Sequence, residues 1–239
     1  MPEPALLAAA VVVGLGAWLQ ATVGFGIALL AAPLLALLDP ALVPGPLMVA
    51  ALVLGFLTVT RDRSAVAVDE IGWALVGRVP GSLVGLAALL TFTVRSLSLT
   101  LGTIVLLAVA VSVAGVRVPI SRRTLVAAGL LSGFTATTTA VGGPPLALLY
   151  QDRDGPSVRG NLGGFFLVGG IITVSLLVLG GEFAAEELRA SLVLLPGVLV
   201  GFGASTWTVS LVDGDRVRPA VQLVAAVSAA ALIVRTLLG

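Results

Sequence analysis

Cysteine, histidine and lysine are all absent from these 239 residues, and only 10% of the chain is charged. The first two absences exclude disulfides, thiol chemistry and histidine-based metal sites or proton relays. The scarcity of charge excludes an ordinary soluble domain, in which about a quarter of residues are charged. A net charge of +1 leaves no electrostatic footprint for nucleic acid. No Asp or Glu falls inside any long apolar run, so the carboxylate relay of a proton-coupled carrier is missing. Neither a metal nor a cofactor is expected, and a membrane enzyme would find almost no catalytic inventory here.

What remains is apolar. The chain is 58% hydrophobic, with a mean hydropathy of +1.15. It reads as an all-α integral membrane protein whose main partner is the lipid bilayer. Met1-Pro2-Glu3-Pro4 carries no basic region, so the first apolar segment is expected to be retained.

A membrane helix needs about 20 apolar residues. Apolar segments run over 4–38, 40–60, 71–94, 96–116, 124–151, 160–181, 190–212 and 219–234, which makes eight. Two are too long for one simple span. As straight helices, 4–38 and 124–151 would reach about 52 and 42 Å, against a hydrocarbon core of about 30 Å.

Those two segments contain clusters that break helices. The first is Gln20-Ala21-Thr22-Val23-Gly24-Phe25-Gly26; the second is Gly133 through Thr135, Thr137, Thr138, Thr139, Val141, Gly142, Gly143, Pro144 and Pro145. Length and composition agree on two half-helices around a kink or re-entrant tip in each. Broken helices at membrane depth survive only where protein or a water-filled cavity surrounds them, and in transporters they hold the substrate. Gly24-Phe25-Gly26 follows no strand, so a dinucleotide-binding reading is discarded.

The chain also repeats itself. Pro80-Gly81-Ser82-Leu83-Val84-Gly85 recurs as Pro196-Gly197-Val198-Leu199-Val200-Gly201 at an offset of 116, which also carries Gly26 onto Gly142 and Thr22 onto Thr138. The expected organisation is two repeats, 1–118 and 119–239, each opening with a broken segment followed by three ordinary spans.

If the broken segments crossed the membrane, arginines would divide seven to five between the faces. If each dips in and returns, the repeats are inverted. One face then collects Arg61, Arg63, Arg117, Arg122, Arg123, Arg153, Arg159, Arg216 and Arg218, and the other keeps Arg95, Arg189 and Arg235. The second division fits the positive-inside rule better and puts both termini outside.

Chemistry is expected at the breaks. Pro144 and Pro145 suit the start of a half-helix, whose free N–H groups and dipole favour an anion. Thr135, Thr137, Thr138 and Thr139 add hydroxyls without charge. At the first break the candidates are Gln20, Thr22, Gly24 and Gly26, with Gln20 also readable as helix–helix glue. Arg159 and Asn161 are mouth residues or ordinary interfacial anchors. Arg78, some seven residues into its segment, is either a pathway residue or an arginine reaching back to the interface. Gly77, Gly81 and Gly85, spaced by four, are assigned to close helix packing.

These motifs resemble the sulfite exporter (TauE/SafE) family, also called the toluene sulfonate uptake permease family. The likeness rests on Leu19 to Gly26 followed by Pro33, on Gly133-Phe134 through Val141-Gly142-Gly143-Pro144-Pro145, and on Arg159-Gly160-Asn161-Leu162. The resemblance implies a multi-pass transporter of the cytoplasmic membrane, exporting or importing sulfite, sulfoacetate or related sulfur-containing anions. Glycine-rich members carry G-x-G-G-G at both breaks; here Ala140 stands in place of one glycine. A small-anion or solute channel remains the alternative, and assembly into a homo-oligomer stays open.

Overall fold

The computed structural model describes residues 3–24, 26–212 and 214–238; Phe25 of the first motif and the terminal residues 1–2 and 239 lie outside them. All the regular structure described is helical. α1 spans Glu3–Val23, α2 Ile27–Leu38, α3 Gly45–Arg61, α4 Val68–Leu89 and α5 Val94–Val113. α6 follows at Arg122–Thr139, then α7 Gly143–Tyr150, α8 Gly155–Leu179, α9 Ala185–Thr208 and α10 Gly214–Leu238.

The ends of these helices are written locally. Thr93 and Ser96 form a reciprocal cap at the start of α5, and Ser121 and Thr124 another at the start of α6, each satisfying two otherwise orphan groups. Asp154 caps α8 and is followed by Pro156 in its first turn. The apolar segments 4–38 and 124–151 are each cut in two. α1 stops where Gly24 (φ 105°) and Gly26 (φ 135°) leave helical space, conformations that glycine adopts without steric cost. α6 stops at Ala140, whose φ of 62° is left-handed and costs an alanine about 1–2 kcal/mol; Pro144 then opens α7.

Among the described residues, seven helices are long and apolar enough to cross a membrane, one fewer than the eight apolar segments expected. The eighth segment is the one divided into α6 and α7. Two arginines open α6 and three threonines close it, lowering its hydropathy, and the eight residues of α7 are too few to span.

Four close helix pairs frame the molecule. Gly129 packs on Ala74, Gly133 on Arg78 and Gly85 on Phe134, so α4 and α6 run parallel. Gly197 packs on Ala10 and Gly201 on Trp18, so α1 and α9 also run parallel; the Trp18 indole donates to Thr208 Oγ1 at 2.8 Å. In contrast, Leu52 meets Gly170 and Asp62 meets Gly160, so α3 and α8 are antiparallel. Gly102 meets Ile233, and Gln222 Nε2 donates to Ser112 Oγ at 2.8 Å, so α5 and α10 are antiparallel as well. Small residues at these contacts let backbones touch, which is how helices associate where no hydrophobic force separates protein from lipid. Large apolar side chains such as Leu7, Val11, Leu83, Val200 and Leu238 point outwards.

One end of the bundle is tied by charge. Arg159 Nε and Nη2 donate to Asp62 at 3.0 and 3.3 Å, and its Nη1 donates to the Thr22 carbonyl at 3.3 Å. Arg61 donates to Ser205 Oγ at 2.9 Å and to the Ala21 carbonyl. Two arginines from α3 and α8 thus hold the last carbonyls of α1, where the helix dipole is negative.

Candidate functional site

The two breaks meet. A cavity of about 30 Å³ is lined from the first by Gln20, Gly26, Ile27, Ala28 and Leu29, and from the second by Ala136, Ala140, Gly142, Gly143 and Pro144. Arg78 of α4, Met48 and Ala51 of α3, and Phe166 of α8 complete the wall. A water needs about 10–15 Å³ by this measure, so the space in this form suits a ligand of very few atoms.

The start of α2 and the start of α7 both face this space. Gln20 is 4% exposed, and its Oε1 accepts from the Ile27 N–H at 3.3 Å, placing the side chain over the first turn of α2. On the other side the Gly142 carbonyl accepts from Ser132 Oγ at 2.5 Å.

Arg78 dominates the electrostatics. It is 1% exposed, so it does not reach back to an interface. Its Nη1 donates to Ser132 Oγ at 3.1 Å, and its Nη2 donates to the Gly169 carbonyl and Thr173 Oγ1, both at 3.1 Å. The guanidinium carbon lies 4.8 Å from the centroid of the Phe165 ring, a favourable cation–π distance. Nε has no partner. No carboxylate forms an ion pair with Arg78 among the described residues. A buried charge is normally paired; here neutral dipoles and a ring stand in for the counterion.

Of the residues singled out in the sequence, Gln20, Gly26, Arg78, Gly142, Gly143 and Pro144 line the cavity. Thr137 stands behind it, its hydroxyl 3.4 Å from that of Thr173. The others lie elsewhere. Thr22, Thr138 and Thr139 donate to carbonyls of their own helices, to Trp18, Phe134 and Thr135 respectively; Thr135 donates to Ser132. Gly24 packs on Val158. Arg159 belongs to the Asp62 cluster, and Asn161 ties α8 to the connection between α3 and α4, accepting from Ala67 N at 2.8 Å and donating to the Ala65 carbonyl as well as to the Ser157 carbonyl of its own helix.

Sequence reasoning missed Ser132, Phe165, Gly169 and Thr173, the groups that hold Arg78. A single serine, a phenylalanine pair and a glycine pair in apolar helices are indistinguishable by pattern from ordinary packing residues. They acquire a role only because α6 and α8 both flank α4.

The wall geometry separates two substitutions. A Cβ on Gly142 would lie 2.8 Å from Ala136 Cβ, 2.9 Å from Ser132 Oγ and 3.3 Å from Arg78 Nη1. Gly142→Leu is therefore expected to fill the cavity and abolish transport. Thr138→Val removes only an intrahelical hydroxyl bond and should change flux by less than about threefold. The two variants compared in one flux assay check this; equal rates would show that the cavity is not on the path.

Several apolar spans, interrupted helices meeting at a cavity and a buried cation beside it define a multi-pass membrane transporter rather than a soluble binding module. The family model for the sulfite exporter TauE/SafE matches residues 6–232, and the chain belongs to that family. No curated protein and no solved structure matches it.

Proposed function

We propose that this protein carries a small sulfur-containing anion, such as sulfite or a small sulfonate, across the cytoplasmic membrane, and that the anion binds against Arg78 between the starts of α2 and α7. The observation that carries this reading is the buried guanidinium without a carboxylate partner. An anion would complete it, and two helix N-termini add positive potential on the same side. Gln20, Gly26, Gly142, Gly143 and Pro144 form the binding wall. Thr137, through Thr173, supports Arg78. Thr22, Gly24, Thr135, Thr138, Thr139, Arg159 and Asn161 hold the breaks and their surroundings in place.

The size of the cavity favours a three- or four-oxygen ion over an aromatic sulfonate. Its small volume favours a carrier over a channel, which needs a continuous path. In proteoliposomes, sulfite flux should saturate and exceed that of protein-free vesicles. Flux that stays linear with concentration would favour a channel, and none above background would remove the reading.

We further propose two inverted repeats, 1–118 and 119–239. The offset of 116 carries Val23, the last residue of α1, onto Thr139, the last of α6, and Ile27 onto Gly143. It also exchanges the cavity residues Gln20 with Ala136 and Gly26 with Gly142. Exchanging each helix of α1–α5 with its counterpart in α6–α10 converts the α1/α9 pair into α6/α4. The same exchange leaves α3/α8 and α5/α10 as self-pairs, and both of these are antiparallel, as a two-fold axis in the membrane plane requires. Helix directions then make α1 and α3 co-directional, so α2 and the following loop return the chain to the face where α1 began. This supports re-entrant breaks and a cytoplasmic face rich in arginine. A periplasmically active reporter fused after Gly239 should be active, and a cytoplasm-only reporter should be silent; the reverse result would overturn the inverted arrangement.

A further inference from the structure

We propose that the site discriminates by charge number, accepting monoanions and rejecting dianions, so that hydrogen sulfite rather than sulfite is the species carried and sulfate is excluded. This rests on the reading of the cavity as the anion site.

Among the described residues, Arg78 is the one charged group in the cavity wall. The groups facing it are Ser132 and Gly133 of α6, Gly142 of the second break, and Phe165, Gly169 and Thr173 of α8. None of them is charged or titratable. The other arginines near the breaks, Arg61 and Arg159, are engaged by Asp62 and by the carbonyls at the end of α1. One negative charge therefore neutralises the guanidinium, and a second would be left to the partial charges of the two helix starts alone. In a desolvated pocket an unpaired charge is strongly unfavourable.

The hydrogen-bond inventory agrees. A guanidinium has five N–H donors, and three are used by Ser132, Gly169 and Thr173. Two are left, Nε–H and one on Nη1; they leave the guanidinium in different directions, and Nη1 is the one beside Gly142 of the wall, so a single small ion takes one charged donor. Across the cavity Gln20 contributes an acceptor, Oε1, that now takes only one N–H at 3.3 Å. A protonated oxyanion donates to it; a dianion meets it with a like-signed lone pair.

The test uses the unmodified protein in proteoliposomes, with protein-free vesicles subtracted for leakage of neutral sulfur dioxide. Sulfate and sulfamate are near-isosteric tetrahedral ions that differ by one charge. Sulfamate should inhibit sulfite flux at concentrations at least about 100-fold below those needed of sulfate. At fixed total sulfite, flux on the alkaline side should fall about tenfold per pH unit, following the hydrogen sulfite fraction, while inhibition by sulfamate stays constant. Saturable flux with sulfate and sulfamate equally potent, or flux that follows total sulfite, overturns charge discrimination and leaves the carrier reading standing. No flux of any of these anions overturns both.

Discussion

Arg78→Gln is expected to lower sulfite flux about 140- to 4,000-fold, the change that corresponds to losing a partner worth roughly 3–5 kcal/mol from a buried ion pair. The glutamine can still bond to Ser132 or Thr173, so the variant should remain folded. Arg78→Lys should recover little, because a point charge on a flexible stem cannot reach Ser132 on α6 and both Gly169 and Thr173 on α8 as the planar fork does. Stability should move the other way. In the absence of anion, Arg78 is buried with neutral partners only, and a buried charge so placed costs free energy that an apolar residue of similar volume does not. Arg78→Met should therefore raise the melting temperature in detergent while eliminating flux, the trade between stability and activity found where a site is held in a costly state. Sulfite should raise the melting temperature of the unmodified protein by mass action and leave that of Arg78→Met unchanged. Normal transport by either Arg78→Gln or Arg78→Met would remove Arg78 from the site.

Gly129→Ala should destabilise the protein by about 3 kcal/mol or more, at the upper end of what overpacking costs. A Cβ at this position would lie 1.8 Å from the Ala74 carbonyl oxygen, and one on Gly77 would lie 1.9 Å from that of Val126. Both obstacles are backbone, so no side chain can swing aside. The helices α4 and α6 must separate, and with them Arg78 from Ser132. Gly72→Ala and Gly203→Ala are the controls: both sit in helices with nothing within 4 Å of the new methyl, and removing glycine there should stabilise by about 0.5–1 kcal/mol. Thermal unfolding of the three variants in one detergent checks the contrast. A Gly129→Ala protein as stable as Gly72→Ala would mean that the two helices do not pack this closely.

Much of the architecture is legible in the sequence. Segment lengths locate both over-long runs, and glycine, threonine and proline locate the breaks at Gly24–Gly26 and at Ala140–Gly142, because local backbone chemistry decides where a helix can continue. The assignment of Gly77, Gly81 and Gly85 to packing agrees with their contacts on α6, for the same local reason: a missing Cβ is visible in the chain itself. Threonines are less informative. Four of them beside the second break look alike in sequence. Only Thr137 faces the Arg78 network, because successive residues of a helix point about 100° apart and one residue of phase separates a cavity from an intrahelical bond. Arg159 and Asn161 are equally ambiguous as sequence, and the structure gives them partners at the end of the bundle.

Composition and pattern alone established a helical membrane chain, its interrupted segments and its family, since hydropathy, helix-breaking residues and motif spacing are properties of contiguous sequence. Only the tertiary structure decided that both interruptions open onto one cavity and that Arg78 lies in its wall with no carboxylate beside it. Those relations join residues more than fifty positions apart, and they are fixed by which glycine-lined helices can approach one another closely enough to touch.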